Sequence, residues 1–511
     1  MKTNFISVRF AILLLVPVII IIYVFYTDQT EFWKGKYDPS YAYLLNGLNL
    51  ATSGGNIGHI DHPGTTVQVS CAIIIKIVYE IRNPNDSLQS DLLHNPEYYL
   101  KCIAWTFTLI NCLLIFLSGI VFYKLSSEII YGLLFQSFTL NFIILEHAFY
   151  EVKPEPVLLG AVILLMMVFL RNYYSDTSAE KSISNHTNIK KEYYSCRYVL
   201  LFGIIIGFCI ATKINSIPLV IIPLIFINKL KEKIIYTTST LFAFLFFTLP
   251  ISGRYIAFLR WLKNIAFHSG YYGNGTMEII DVNQFFENMH FTIIHQPFII
   301  CVVLLSIITI AIQISRKKYD KNLKILIVLV LAQLISFLMV FKHFRLHYLI
   351  PVIPTIAMNL FIMFQMAGLK KMHRNLLIIP VVILLFLFNI RIIYSYQNHK
   401  KIIKIEHISN SKSDFINIYA YQCSSQLFAL SIGDDYAKKK HAVVLENIYG
   451  KQYFYDYWSK KLHDWQTPVS LDSLRKFKKK LYFISTEEAI REYTTIFKLK
   501  YISEGKYLIE E

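Results

Sequence analysis

The sequence predicts an α-helical protein that crosses a membrane many times and ends in a small α/β domain. Hydrophobic residues make up 55% of the 511 residues and charged residues only 17%, whereas a soluble domain carries about a quarter charged residues. The apolar residues gather in blocks of about 16 to 24, the length that a membrane-crossing helix requires. From about residue 396 these blocks stop, and residues of ordinary soluble composition follow.

Hydropathy predicts about eleven membrane spans. The first apolar block, 8–26, is too long for the hydrophobic region of a signal peptide, and no small-x-small cleavage site follows it, so we expect it to be the first span. A polar stretch over 27–64 follows. The remaining predicted spans are 101–123, 130–150, 156–171, 198–212, 215–228, 234–251, 293–315, 325–341, 346–368 and 375–394.

One further apolar block, 65–81, is ambiguous because Lys76 and Glu80 interrupt it. If it does not span, basic loops such as 172–197 and 316–324 face the cytoplasm, as the positive-inside rule requires. If it spans, every later loop inverts and those loops face outward. We therefore predict an amphipathic helix that lies on the outer surface of the membrane.

This topology predicts that the C-terminal residues, 396–511, form a domain outside the cytoplasm. Their pattern predicts short strands separated by helices, which is typical of a small α/β domain. The predicted strands are 415–421, 442–445 and 481–484, and the predicted helices are 424–440, 471–479 and 487–494.

The formal net charge of +17 does not indicate a nucleic-acid partner. The basic residues lie mainly in short loops between apolar blocks, where they set membrane topology. The seven cysteines are odd in number, lie mostly inside apolar blocks and form no CxxC pair. They therefore predict packing roles rather than a disulfide framework or a zinc site.

Ionisable residues in the predicted outer loops are the candidate functional residues. Asp38 lies one residue before Pro39, which predicts either a helix N-cap or a general base held at the membrane surface. His59, Asp61 and His62 form a cluster further along this loop. Loop hydrogen bonding explains this cluster as well as a metal site does, since its spacing is not a specific metal-binding pattern.

A second acidic element, Glu151 to Glu155 with Lys153 between, lies between two predicted spans. Two carboxylates and a lysine beside the hydrocarbon edge are costly unless they are paired or in water. One interpretation is an interfacial turn with a Lys–Glu pair. The other is an acidic element that faces Asp38 across a shared cleft.

Cations near the predicted helix ends are candidates to bind a lipid phosphate. Lys213 lies between two apolar runs and is otherwise a lysine that snorkels from a helix end. Lys342, Arg345 and His347 lie immediately outside the bilayer, where arginine suits phosphate, although an interfacial basic anchor is an equal alternative. His268 lies in a glycine-rich turn that could cover a cleft.

The order and placement of these elements resemble the GT-C superfamily of membrane glycosyltransferases, which includes protein mannosyltransferases and aminoarabinose transferases. The resemblance covers about residues 5–370. It departs from the family in having Asp38-Pro39 where an Asp-Glu pair is usual. The matching segments are Asp38 with Tyr41, His62-Pro63, the turn at 151–155, the Gly-to-Thr-Lys segment 207–213 and the Tyr-x-x-Pro stretch within 345–354.

The resemblance implies an inverting glycosyltransferase of a bacterial cytoplasmic membrane, with a catalytic membrane domain over 1–395 that includes a first outer loop, 27–100. The donor would be a sugar on a polyprenyl phosphate, and the acceptor a glycan, glycolipid or protein. The resemblance implies no particular cofactor and is compatible with a divalent cation. The implied roles are general base for Asp38, second acidic element for Glu151 and Glu155, donor-phosphate binding for Lys213, Arg345, Lys342 and His347, and substrate cleft for Tyr41, His59, Asp61, His62, Lys153 and His268.

A transporter or flippase of a lipid-linked saccharide is the main alternative. Transporters place ionisable groups near the membrane midplane, on interrupted helices in repeated halves. In this sequence the charges lie at the predicted outer helix ends, and no halves repeat. A third alternative is a membrane scaffold whose tail binds a partner, but it leaves the clustered outer charges unexplained. A polysaccharide polymerase or ligase is closer to the transferase and differs in whether one sugar or a chain is moved.

Overall fold

The computed structural model is mostly helical and has one mixed sheet near the C-terminus. It describes residues 8, 10–27, 30–53, 55, 57–181, 188–270, 273, 275–368, 372, 378–380, 415–420, 423, 425–456, 459–503 and 505–510.

The helices of the first half of the chain are long and largely apolar, with shorter ones between them. They are α1 (Leu15–Thr27), α2 (Tyr37–Ser53), α3 (Thr65–Arg82), α4 (Leu88–His94), α5 (Pro96–Ser126), α6 (Ile129–Ser137), α7 (Phe142–His147), α8 (Pro154–Lys181) and α9 (Asn188–Thr212).

Helices also dominate the chain from residue 214 to residue 367. The α-helices are α10 (Leu230–Phe247), α11 (Tyr255–Phe267), α12 (Val282–His295), α13 (Pro297–Ser315), α14 (Lys321–Lys342) and α15 (Ile353–Ala367). Short 3-10 helices connect several elements, at Phe138–Leu140, Ile214–Ile221, Pro223–Phe226, Leu249–Arg254 and Leu346–Leu349.

Five helices among the described residues are long and apolar enough to cross a membrane, and a sixth span is possible if one bent pair of helices counts as one. By length and composition the chain is therefore a multi-pass membrane protein. The five are Phe10–Thr27, Pro96–Ser126, Pro154–Ser175, Pro297–Ser315 and Lys321–Lys342.

The other predicted spans correspond to shorter or broken helices, so the count of eleven stays a prediction. The block predicted over 130–150 is interrupted at Asn141, which caps α7 through its side chain. The block over 215–228 forms two 3-10 helices, because Pro218 and Pro223 cannot donate the hydrogen bonds of a continuous α-helix. The span predicted at 375–394 lies almost wholly outside the described residues.

The segment predicted as a surface helix over 65–81 is helical, as α3 (Thr65–Arg82), and is not one of the five candidate spans. Its apolar residues lie on two faces. Val67, Cys71 and Ile75 are buried, whereas Ile73 and Ile77 are exposed.

The chain divides into two compact units that alternate along the sequence. The first consists of Met1–Asp28, Ile60–Thr66 and Trp105–Tyr396, and the second of Gln29–His59, Val67–Ala104 and Gln397–Glu511. The sequence assigned the loop over 27–100 to the membrane domain. That assignment stays a prediction; in the structure most of this loop lies in the same compact unit as Gln397–Glu511.

The second unit contains a six-stranded mixed sheet in the order β3-β2-β1-β4-β6-β5. β1 pairs in parallel with β2 and β4, and the remaining pairs are antiparallel. The strands are β1 (Phe415–Ala420), β2 (Tyr453–Asp456), β3 (Lys461–His463), β4 (Lys480–Ile484), β5 (Leu499–Ser503) and β6 (Lys506–Ile509).

The helices of this region agree with the sequence in three cases and differ in one. α16 (Gln426–Tyr436), α18 (Leu471–Arg475) and α19 (Glu487–Tyr493) lie within predicted helices. The strand predicted at 442–445 is wrong, since these residues begin α17 (Ala442–Tyr449). The β-branched pair Val443-Val444 favours a strand, but Ala442 and Leu445 are buried on one helical face three residues apart.

Within the second unit, α16 packs directly on α2. The Asn46 amide donates to the Tyr436 carbonyl at 3.2 Å, and the Asn49 amide donates to the Ala437 carbonyl at 3.2 Å. Gly433 permits the close approach, because a Cβ atom there would lie 2.9 Å from the Tyr41 carbonyl oxygen. The loop that carries Asp38 is therefore held by the C-terminal residues.

Candidate functional site

Three segments of the first unit bring a buried ionic cluster together. Glu155 lies in the first turn of α8, which Pro154 begins and where the helix dipole favours an acid. Lys213 directly follows α9, and its ammonium group donates to the Glu155 carboxylate. The Nε2 atom of His347, in a 3-10 turn, lies 3.6 Å from the same carboxylate. Glu155 is 1% and Lys213 3% exposed, so the protein shields this pair.

A second acid–lysine pair lies beside the first. Lys153 Nζ lies 3.3 Å from Glu151 Oε2 and 3.0 Å from His147 Nδ1. Since an ammonium group can only donate, Nδ1 of His147 is the acceptor and the ring is neutral. The His147 ring also contacts the His347 ring, with centroids 4.8 Å apart. His147 therefore links the two pairs.

The turn that presents this acidic element has a strained backbone. Tyr150 has a φ of +51°, a left-handed conformation that a bulky residue rarely adopts. The Tyr150 amide donates to Thr108 Oγ1 at 2.8 Å, and its ring packs against Trp105 with centroids 5.5 Å apart. These contacts with α5 hold the turn that places Glu151.

Tyr348 connects the ionic cluster to a neighbouring cavity. Lys213 Nζ lies over the Tyr348 ring, 4.2 Å from its centroid, a cation–π contact. The Asn215 amide donates to the Tyr348 carbonyl at 2.8 Å. Both Tyr348 and Asn215 line the cavity, so the cluster fixes part of its wall.

The cavity has a volume of about 480 Å³, within the range of small-molecule sites. Much of its wall is apolar, with Ile214, Leu262 and Met339 among the lining side chains. None of the described residues that line it is acidic. Its basic lining residues are His62, Lys342, His343 and Arg345, and its uncharged polar ones include Asn215, Gln284, Asn288 and Ser336.

Two of the basic residues, at the C-terminal end of α14, form hydrogen bonds with α11. Lys342 Nζ donates to the Ala266 carbonyl at 2.6 Å, and His343 Nε2 donates to the Ile265 carbonyl at 2.7 Å. These carbonyls lie in the last turn of α11, where cations are favoured. Burial lowers the pKa of His343, which favours the neutral ring. Arg345 lies three residues beyond Lys342 on the cavity wall.

Two aromatic rings enclose His62 at the cavity. Trp261 lies edge-on to the His62 ring with centroids 5.2 Å apart, and Tyr348 lies 5.8 Å from it. The Oδ1 atom of Asn215 is buried and has no hydrogen-bond partner among the described residues. It is an acceptor that a ligand hydroxyl group could satisfy.

Three predicted site residues, Asp38, Tyr41 and His59, belong to the second unit. Asp38 is exposed, and its φ of −101° and ψ of 116° are not helical, so the regular part of α2 begins after it. This is the backbone conformation of an N-cap, and the exposure of the residue is also compatible with general-base chemistry.

The other two residues of this group are buried. Tyr41 is 0% exposed, and its hydroxyl donates to Glu97 Oε1 at 2.8 Å. The Glu97 carboxylate also accepts from the Phe32 amide at 2.8 Å. His59 lies between the rings of Tyr43 and Tyr436 and is 9% exposed.

The remaining predicted residues are Asp61 and His268, both in the first unit. Asp61 is half-buried. His268 Nδ1 lies 3.3 Å from the Gly275 carbonyl, within the glycine-rich turn that the sequence indicated. Within the described ranges, no group of three or more His, Cys, Asp or Glu side chains is arranged to hold a metal ion.

The interpretation of Lys213 as a lysine that snorkels from a helix end does not hold, since its side chain is buried and ion-paired.

The sequence analysis missed His147, because Glu146 and His147 were placed inside a predicted span at 130–150. Two consecutive ionisable residues at the end of an apolar block were the signal that the span ends earlier.

No protein-family model, curated protein or solved structure matches this chain.

Proposed function

We propose that this protein transfers a sugar from a polyprenyl-phosphate donor to an acceptor at the outer face of a bacterial cytoplasmic membrane. The cavity in the first unit is the observation that supports this function. Its wall combines apolar side chains with Arg345, Lys342 and His62 and contains no acid among its described lining residues. An anionic phosphate joined to an apolar chain requires this combination.

In the proposed reaction, the acceptor hydroxyl or amine attacks the anomeric carbon of the donor sugar and a general base accepts its proton. The residue that the sequence predicts for this role is Asp38. The bond from the anomeric carbon to the phosphate oxygen breaks, and its electron pair leaves with the lipid phosphate. Arg345 and Lys342 stabilise the charge that develops on this phosphate.

The structure changes the role that we propose for Lys213. Its ammonium group is buried, donates to Glu155 and lies over Tyr348. We therefore propose that Lys213 and Glu155 position Tyr348 and Asn215 at the cavity wall, and that Arg345 is the principal phosphate ligand. Glu151, Lys153, His147 and His347 support this pair in the same cluster.

The experiment that tests this function uses the purified chain in proteoliposomes. Radiolabelled polyprenyl-phosphate sugars are supplied in the liposome membrane and a membrane extract as acceptor. We expect label to move from the lipid to a new product. Arg345→Gln should slow this transfer, whereas Arg316→Gln, at an exposed arginine outside the cavity, should not.

The same proteoliposomes test the flippase alternative. A flippase would move the labelled lipid from one leaflet to the other and leave the sugar attached to its phosphate. Movement between leaflets without any new product, for every donor supplied, would contradict the proposed transfer.

A further inference from the structure

The orientation of α11 relative to α10 suggests a membrane-surface helix. α10 and the segment Leu249–Phe267, which contains α11, together pass the length and composition test for a span but are bent by 76°. Membrane spans are tilted on average only about 20° from the bilayer normal. If α10 crosses the membrane, α11 therefore runs close to the membrane plane.

α11 has two different apolar faces. The inner face carries Phe258, which is 3% exposed, and Leu262 and Ile265, which line the cavity. The outer face carries Ile256, 77% exposed, and Leu259, 58% exposed. The inner face is therefore buried by the protein, whereas none of the described residues buries Ile256 and Leu259 on the outer face.

The charge on the outer face has one sign. Arg260 and Lys263 are both exposed, and α11 contains no acidic residue. In the sequence, no Asp or Glu occurs between Glu232 and Glu278. Exposed apolar side chains interspersed with cations are typical of helices that lie in the headgroup region of a membrane containing anionic lipid.

The segment that follows α11 and the first turns of α12 carry the exposed acids Glu278, Asp281 and Glu287, so the surface with cations only is that of α11 itself. Large apolar side chains are also strongly exposed in this stretch. They are Met277 (82% exposed), Ile279 (63%), Val282 (60%) and Phe286 (56%).

We propose that the outer face of α11 binds anionic phospholipid, with Arg260 and Lys263 on the lipid phosphates and Ile256 and Leu259 among the acyl chains. Lipid fits this face better than a protein partner because the exposed apolar side chains of α11 are accompanied by cations only, and because α11 and α10 together are long and apolar enough for a span. Because the inner face of the same helix forms a wall of the cavity, bound lipid also supports that wall. This binding does not depend on sugar transfer.

Site-specific photo-crosslinking of the full chain tests this binding. A benzophenone amino acid replaces Leu259, and the protein is placed in liposomes of equal parts phosphatidylglycerol and phosphatidylcholine. The same label at Leu304, 52% exposed on a candidate span, gives the reference ratio of the two lipid adducts. We expect the ratio of phosphatidylglycerol to phosphatidylcholine adducts at Leu259 to exceed the reference ratio about fivefold, the effect of one cation near a lipid headgroup.

Two charge variants decide whether the cations cause this preference. Arg260→Gln with Lys263→Gln should return the ratio at Leu259 to the Leu304 value. Lys317→Gln with Lys318→Gln, which removes the same charge from another exposed site, should leave it unchanged. Lipid adducts at Leu304 in each variant show that the protein is still inserted.

Three results would overturn the proposal. The label at Leu259 could yield no lipid adduct while Leu304 does, or it could crosslink mainly to a second copy of the chain. The ratio at Leu259 could also be unaffected by loss of Arg260 and Lys263.

Discussion

The ammonium group of Lys213 donates to the carboxylate of Glu155, and both side chains are almost fully buried. The two residues are 58 positions apart and follow or begin different helices. A buried ion pair is weak evidence for stability, because desolvation opposes the attraction. Its position beside Tyr348 and the cavity instead indicates that it fixes the geometry of the wall.

Removal of one partner of this pair should destabilise the protein strongly. Lys213→Met leaves the Glu155 carboxylate buried without its main counter-charge, and Glu155→Gln leaves the Lys213 ammonium in the same position. We expect each variant to lose about 3 to 5 kcal/mol of the free energy of unfolding. Thermal unfolding of the purified protein measures the loss, with exposed Lys318→Met as the control.

The double variant Lys213→Met/Glu155→Gln tests the pairing itself. Since it removes both charges, its loss should be clearly smaller than the sum of the two single losses. Additive losses would mean that the two residues do not interact.

Arg345 should control donor affinity. A hydrogen bond to a charged group contributes about 1.5 to 3 kcal/mol, so Arg345→Gln should raise the KM for the polyprenyl-phosphate donor about 10- to 100-fold. Arg345→Lys should recover only part of this, because lysine cannot form the two parallel bonds of a guanidinium group. Steady-state kinetics with varied donor measure both. A KM unchanged in Arg345→Gln would remove Arg345 from the donor site.

Gly58 should be essential for the packing of the second unit. A Cβ atom at Gly58 would lie 1.8 Å from the Tyr436 carbonyl oxygen, whereas a Cβ atom at Gly55 would meet nothing within 4 Å. Gly58→Ala therefore forces α16 or its loop to move, and Gly55→Ala does not. We expect faster proteolysis of the C-terminal residues in Gly58→Ala only. Equal protection in the two variants would contradict this close contact.

Asp434 should make the stability of the second unit depend on pH. Burial raises the pKa of Asp434 from 3.8 to about 7, partly opposed by the His441 amide, which donates to its Oδ1 atom at 2.9 Å. Asp435 and Lys439 are the nearby charges. The unfolded chain ionises this group first as the pH rises. The contribution of Asp434 to the free energy of unfolding is therefore fully present below about pH 4 and is lost as the pH rises to about 7. Above that pH the free energy of unfolding no longer changes because of this group.

Asp434→Asn tests this dependence, since asparagine keeps the acceptor for the His441 amide and cannot ionise. Over this pH range the free energy of unfolding of the wild type should fall by an amount on the order of 4 kcal/mol at most. Hydrogen exchange of residues 426–456 in the full chain, compared at pH 5 and pH 8 and corrected for intrinsic rates, measures it. The wild type should lose protection at pH 8 and the variant should not. The same pH response in both would assign it to another group.

The sequence predicted the features that depend on local composition. The apolar blocks identified the five candidate spans, and the pattern near Phe415 and Leu481 identified the two central strands of the sheet. Pro218 and Pro223 were visible in the sequence, but a hydropathy window averages over them. It therefore predicted a span where the structure has 3-10 helices.

The long-range contacts of the candidate site could not be predicted in this way. Glu155 and Lys213 were both recognised as unusual charges, but their pairing depends on how α8 and α9 pack. The packing of α16 on α2 joins residues nearly 400 positions apart, as the Asn46–Tyr436 hydrogen bond does. No local pattern contains such a contact. The strand predicted at 442–445 failed for the same reason, since tertiary packing outweighed β-propensity.

The most direct test of the proposed function replaces the proposed base. Transfer of radiolabelled sugar in proteoliposomes is compared for the wild type, Asp38→Asn and Asp86→Asn, where Asp86 is another exposed acid of the same predicted loop. We expect Asp38→Asn to abolish transfer while the protein remains folded and inserted, and Asp86→Asn to retain it. Transfer at the wild-type rate by Asp38→Asn would contradict the account.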